Sequence, residues 1–257
     1  MPDLVTASLL VFASTLAGFI DAIAGGGGLI LLPALLLGLP ATTPIPTILG
    51  TNKVAACSGT TVALWQYAHA ELVPRRELIL PFGAAVLGAS LGVHFAYQLP
   101  TEAMRPVLLV LLVLVLGFVL LRPELGKVHA PKLAPGARRL LTGIIALGLG
   151  FYDGVFGPGT GSLLIFLFVS VLGYDFLRAS ALAKAANWGS NIASVVLFVA
   201  HGSVIPALAL LLAAGNILGA RLGVRLAITR GNRLVRALFL TAAFGLVLRL
   251  AWQMWRG

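Results

Sequence analysis

Two glycine-rich stretches carry the clearest chemical signal in the sequence: AGGGGLILLP, Ala24 to Pro33, and GPGTGSLL, Gly157 to Leu164. Each interrupts an apolar run. Gly25, Gly26, Gly27 and Gly28 weaken a helix by about 1 kcal/mol each relative to Ala. In the second stretch Gly157, Gly159, Thr160 and Gly161 flank Pro158, which has no amide hydrogen and breaks a helix. A short helix beginning at such a break presents free amides and the positive end of its dipole, and both attract anions. Non-helical backbone at membrane depth survives only inside protein or along a wet cavity. The competing reading is close helix packing, because glycine is common where membrane helices touch. The pairing of the two breaks favours a ligand-lining role.

Charged residues accompany both breaks. Asp21 precedes the first and Asp153 the second. Lys53 and Lys184 lie near the starts of long apolar segments. A charge within a membrane segment is costly and by default functional, so two lysines near two helix starts would form a positive pocket for an anion. Alternatively, both snorkel to the interface, since each is only a few residues from a loop. The aspartates have two roles open to them, taking up protons for coupling or pairing with the lysines and freed amides. If all four charges pair, the net positive field is lost and the glycine amides become the main anion ligands. Asn187 and Asn191, four residues apart, share a helix face with Lys184 and are candidate ligands. Thr51, Asn52, Ser58, Thr60 and Ser190 either bind ligand oxygens or join helices by hydrogen bonds.

The remaining reactive side chains point elsewhere. His69 and His201 end corresponding helices, His94 follows a glycine block, and His129 lies in a linker; none has metal-ligand spacing. No metal site and no cofactor are expected. Cys57 is the single cysteine and reads as a small buried space-filler. Arg221 and Arg225 read as cytoplasmic anchors in preference to a substrate clamp, and Trp252 and Trp255 as part of an interfacial aromatic belt.

The elements that must hold these groups are apolar helices. Of 257 residues 59% are hydrophobic and 10% charged, against roughly 25% charged in a soluble domain; the mean hydropathy is +1.02. Such a chain requires lipid as solvent and helices as its spans. A formal charge of +10 would suggest nucleic acid for a soluble protein. Here the basic residues sit mainly in loops, where they set orientation and meet anionic lipid, and no nucleic-acid partner is expected. The N-terminus has no basic n-region and reads as the first membrane segment, not a cleaved signal. Ten apolar segments are predicted, near 4–20, 28–39, 47–68, 79–98, 104–121, 139–154, 160–173, 181–200, 204–222 and 234–254. The second and seventh are too short to cross about 30 Å of hydrocarbon.

An internal repeat orders them. GFIDAIAGGGG resembles GFYDGVFGPGTG, NKVAACSGT aligns with AKAANWGSN, and GASLGV aligns with GARLGV. Asp21 then matches Asp153, and Lys53 matches Lys184. The chain reads as an all-α polytopic membrane protein with two homologous halves, 1–121 and 139–257, joined by a cytoplasmic linker at 122–138. Each half has a broken-helix hairpin followed by three full transmembrane helices. If each hairpin makes no net crossing, 12 Lys/Arg share one side and four (Arg105, Arg178, Arg249, Arg256) the other. If each makes one crossing, the division is nine to seven. The positive-inside rule selects the first arrangement, in which the halves are inverted and both termini periplasmic.

GFIDAIAGGGGLILLPALL (Gly18 to Leu36), LGTNKVAACSGT (Leu49 to Thr60) and AKAANWGSNIAS (Ala183 to Ser194) together resemble the TauE/SafE family of membrane transporters over nearly the whole chain. Pro158 and Thr160 interrupt the second glycine run, so the two tips need not contribute equally. The resemblance implies a transporter of two homologous halves in a bacterial inner membrane, moving sulfur-containing anions such as sulfite or organosulfonates such as sulfoacetate. Partners are then a small anion and the bilayer, with a homo-oligomer left open. Two other classes compete. An embedded enzyme needs clustered His/Asp or a serine triad, neither of which is evident; an assembly subunit needs no matched breaks or intramembrane lysines. A transporter of a different small anion or metabolite is the nearest alternative.

Overall fold

The computed structural model describes residues 2–70, 72–121, 133–230 and Trp252. Segment 234–254 apart from Trp252, most of the 122–138 linker, His129, Trp255 and Arg256 lie outside the described residues. The described elements are α1 (Leu4–Ala24), α2 (Gly28–Gly38), α3 (Ile45–His69), α4 (Arg75–Ala96), α5 (Thr101–Leu121), α6 (Pro135–Val155), α7 (Thr160–Ser170), α8 (Phe176–Ala200) and α9 (Pro206–Arg230). They follow the first nine predicted segments.

Local chemistry sets the ends. Asp3 caps α1 by accepting from the Thr6 amide at 2.7 Å, and Asp175 caps α8 by accepting from the Arg178 amide at 2.9 Å. Gly25 (φ 76°) closes α1 in the left-handed region, and Gly159 (φ 74°) opens α7. The helices α2 and α7 have 11 residues each, about 16 Å at 1.5 Å per residue, so each reaches only part-way across a bilayer. The spans α1, α4 and 206–226 of α9 are long and apolar enough to cross. The 25-residue α3 and α8 are equally long but less apolar, because they carry the polar residues singled out above.

Packing follows the repeat. The helix α4 lies against α6 and α8; α9 lies against α1 and α3; α3 meets α8; α2 packs on α1 and α3, and α7 on α6 and α8. Exchanging α1/α6, α2/α7, α3/α8 and α4/α9 turns each of these contacts into another of the set. The GASLGV and GARLGV blocks are crossing points. Gly88 and Gly92 rest on the Leu147 and Phe151 backbone, and Gly219 and Gly223 on the Thr15 and Phe19 backbone. Contact this close leaves no room for a Cβ, which is how small residues bring membrane helices together.

The ends of the helices sort onto two faces. Residues Pro2, Asp3, Gly38, Leu39, Thr43 and Ile205 surround one cavity, and Tyr97 reaches Ser203 on the same face. The opposite face gathers Arg76, Pro135, Arg138 and Tyr174, and Trp65, His69, Arg221 and Arg225. Thus α1 and α2 leave and return to one face, while α6 and α7 leave and return to the other. This places Arg178, beside Asp175 and following Tyr174, on the basic face and not on the opposite side with Arg105. The expected division therefore changes at Arg178. His69 and His201 stand exposed at the ends of α3 and α8, each ring Nδ1 2.8 Å from the carbonyl four residues back. Trp252 is exposed.

A methyl group added at Gly154 meets the Ala89 and Val93 backbone, whereas Gly148 faces open space. Gly154→Ala is expected to lower stability by about 1–3 kcal/mol through overpacking and Gly148→Ala not to. Thermal denaturation in detergent reads the difference.

Candidate functional site

The two breaks meet at the centre of the molecule. The Ser162 amide donates to the Gly25 carbonyl at 2.9 Å, and the Ser162 hydroxyl donates to the Ala24 carbonyl at 2.7 Å. Gly25 and Gly161 touch backbone to backbone, and Gly28 lies beside Gly157 and Pro158. Glycine is required twice over: by the contact, and by the positive φ of Gly25, Gly157 and Gly159.

The broken backbone is only partly satisfied. At the end of α1, the Ala22 carbonyl accepts from the Tyr67 hydroxyl at 3.1 Å, and the Asp21 carbonyl accepts from the Gly25 amide at 2.9 Å and from Lys184 Nζ. Across the second break the Tyr152 hydroxyl donates to the Pro158 carbonyl at 2.8 Å. The Gly27 amide donates to Asp21 Oδ1 at 3.3 Å. The amides of Gly26, Gly28, Gly159 and Gly161 have no hydrogen-bond acceptor among the described residues. These are orphan donors at two helix starts, and a buried orphan donor normally has a partner.

All four expected charges come together here, and they pair across the halves. Lys53 Nζ is 2.5 Å from Asp153 Oδ2, both side chains 3% exposed. Lys184 Nζ is 2.7 Å from Asp21 Oδ2, with side-chain exposures of 1% and 16%. The lysines are therefore buried and do not snorkel. Each lies eight residues into its helix, about 12 Å from the helix start. The positive pocket expected of two unpaired lysines is absent in this arrangement, because each cation has a carboxylate. Helix dipoles reinforce the second pair, with Lys184 at the negative end of α1 and the Asp21 carboxylate at the positive end of α2. Gly157 makes room for the first pair: a Cβ there would sit 2.9 Å from Asp153 Oδ1 and 3.0 Å from Lys53 Nζ.

The polar neighbours gather on the Lys53 side. Asn191 Oδ1 accepts from Lys53 Nζ at 3.3 Å, while Asn191 Nδ2 reaches Thr60 Oγ1 at 3.4 Å and Asn187 Oδ1 at 3.5 Å. Asn187 and Asn191 share a face with Lys184 in sequence, yet Asn191 serves the other lysine because α3 and α8 lie face to face. The Ser190 hydroxyl donates to Asp153 Oδ2 at 2.5 Å. Tyr67, Tyr152 and Ser162 were not singled out in the sequence. Nothing in their spacing marks them; only the meeting of the breaks shows which carbonyls need a donor. Thr160 Oγ1 is occupied by the Gly157 carbonyl at 3.0 Å.

Apolar helices of spanning length, two half-length helices starting at paired breaks, and ion pairs linking the halves define a polytopic helical membrane protein. The chain belongs to the sulfite exporter TauE/SafE family, whose family model matches residues 10–250. It is 36% identical over 244 residues to "Probable membrane transporter protein ORF9" of Sinorhizobium sp, covering 95% of this chain and 91% of the relative. It is 36% identical over 229 residues to "Probable membrane transporter protein YfcA" of Escherichia coli K12, covering 89% and 83%. A "Probable membrane transporter protein" of Haemophilus influenzae is 34% identical over 248 residues, covering 96% and 94%. These relatives are described as transporters, not enzymes. No solved structure matches the chain.

Breaking a buried ion pair leaves one charge uncompensated, at a cost of about 3–5 kcal/mol. Asp153→Asn is expected to destabilise by that order, and Asp21→Asn by less, because the Asp21 carboxylate is partly exposed. In a double-mutant cycle Lys53→Met with Asp153→Leu should cost less than the sum of the single changes. Denaturation of the purified variants, singles and double, gives these values.

Proposed function

We propose that this protein is a secondary transporter that exports a small sulfur-containing oxyanion, sulfite or an organosulfonate, by alternating access across a bacterial inner membrane. The observation that carries the reading is the junction of the two glycine breaks. Four unpartnered amides, Gly26, Gly28, Gly159 and Gly161, lie along those breaks, which two lysines join by ion pairs. The family's description as sulfite exporters supports the choice of anion. Gly25, Gly27, Gly157 and Thr160 shape the same junction, and Asn187 and Asn191 supply polar contacts on its Lys53 side.

In this reading an incoming anion takes the place of a carboxylate. The Asp21 carboxylate now occupies both the Gly27 amide and Lys184; an oxyanion with the same two needs exchanges with it. The released aspartate then takes up a proton or faces water, which is how coupling would arise. Export also runs without a coupling ion, since an inside-negative potential favours outward movement of an anion by about 2.3 kcal/mol per charge per 100 mV. The exchange-related packing and the return of α1–α2 and α6–α7 to opposite faces support inverted halves. Residues 1–121 and 139–257 would then move as the two repeats.

Purified protein in liposomes is expected to carry sulfite or an organosulfonate, with the rate rising when the anion-loaded side is made negative. Lys53→Ala with Lys184→Ala should reduce flux at least tenfold. Flux of no such anion, or full flux in the double variant, overturns the assignment. For orientation, Thr43→Cys and Arg139→Cys in a Cys57→Ser background should react with an impermeant maleimide from opposite sides. Thr43→Cys should label in intact spheroplasts and Arg139→Cys in inside-out vesicles.

A further inference from the structure

The basic face holds a second site, distinct from the central junction. The starts of α4 and α6 and the α7–α8 connection enclose a polar cavity of about 340 Å³ lined by Arg76, Glu77, Arg138, Arg139, Thr142 and Tyr174. Three guanidiniums face one carboxylate. Arg138 lies over the Tyr174 ring, 5.6 Å from its centroid, which holds it on the cavity wall. No carboxylate forms an ion pair with Arg76, Arg138 or Arg139 among the described residues.

An apolar groove of about 730 Å³ continues from this cavity along the outside of α4 and α6, and the two share Leu80 and Arg139. Ile79, Leu87, Leu140 and Ile144 line the groove and are more than half exposed. Its floor is open at Gly83, where a side chain would meet nothing within 4 Å. A cationic pocket at a membrane face, opening into an apolar channel along the membrane-facing side, matches one amphipath: an anionic head on a hydrocarbon tail.

The opposite face differs at the matching positions. Counting from Asp21/Asp153 and Gly88/Gly219, the counterparts of Arg138, Arg139, Arg76 and Gly83 are Thr6, Ala7, Ala207 and Ala214. The cavity there is lined by Asp3 and by no lysine or arginine. The three arginines and the glycine of this site are thus not repeated at the matching positions of the other half, although the framework is shared.

We propose that the cavity and groove form a binding site for one anionic phospholipid of the basic-face leaflet, with its phosphate among Arg76, Arg138 and Arg139 and an acyl chain over Gly83 between α4 and α6. The site does not depend on what the central junction carries. It fastens the α4–α6 contact, which joins the two halves, to the bilayer.

The test is thermal denaturation and native mass spectrometry of the full chain in detergent, with phosphatidylglycerol, phosphatidylcholine or inorganic phosphate added. Phosphatidylglycerol is expected to raise the midpoint by several degrees and to appear as a one-lipid adduct, with neither effect from the other two additives. Exposed Arg139→Gln should weaken the lipid on the order of fivefold, at about 1 kcal/mol per arginine, and the triple Arg76/Arg138/Arg139→Gln by more. Gly83→Leu fills open space and favours helix; it should keep the lipid-free midpoint and still lose the adduct. An equal response to phosphatidylcholine, a response to phosphate alone, or an undiminished adduct in Gly83→Leu overturns the proposal. Since none of these readouts measures flux, the outcome is separable from that of the transport assay.

Discussion

An ionised lysine buried in a lipid-embedded bundle persists only beside a counter-charge, and this requirement organises the molecule. Desolvating an ammonium or a carboxylate costs several kcal/mol, which mutual attraction repays only at close range. Lys53 and Lys184 each find a carboxylate within 2.7 Å, in both cases from the other half of the chain. Those two links fix α3 against the α6–α7 break and α8 against the α1–α2 break. The glycines, the crossing blocks and the half-length helices then follow from having to bring these groups together.

Backbone accounting adds to the same constraint. Ending α1 at mid-depth leaves carbonyls that Tyr67, Ser162 and Lys184 satisfy. Starting α2 and α7 there leaves amides that are satisfied only in part. Donors are left over at both helix starts. Free amides at a helix start carry partial positive charge even where the neighbouring side chains cancel.

The frame was legible in the sequence because its causes are local. Hydropathy marked the described helices, the glycines and Pro158 marked the breaks, and the repeat marked Asp21, Asp153, Lys53 and Lys184 as one set. What the sequence withheld was partnership across the halves. Spacing put Asn191 with Lys184, but the facing of α3 and α8 gives it to Lys53. Tyr152 and Ser162 look like ordinary helix residues until the opposite tip is in place. Arg178 was counted with the sparsely charged side, although a sixth and seventh segment without net crossing already return it to the side of the 122–139 loop.

The exchanged pairing also bears on how such a chain can arise. One half holds a complementary aspartate and lysine, Asp21 and Lys53, yet neither serves the other in this arrangement. A solitary half would be left with two unanswered charges, while two identical copies inserted head-to-tail would answer each other. In the proposed inverted arrangement the fold would be an antiparallel dimer written as a single chain, and fusion would relieve it of finding a mate of opposite insertion.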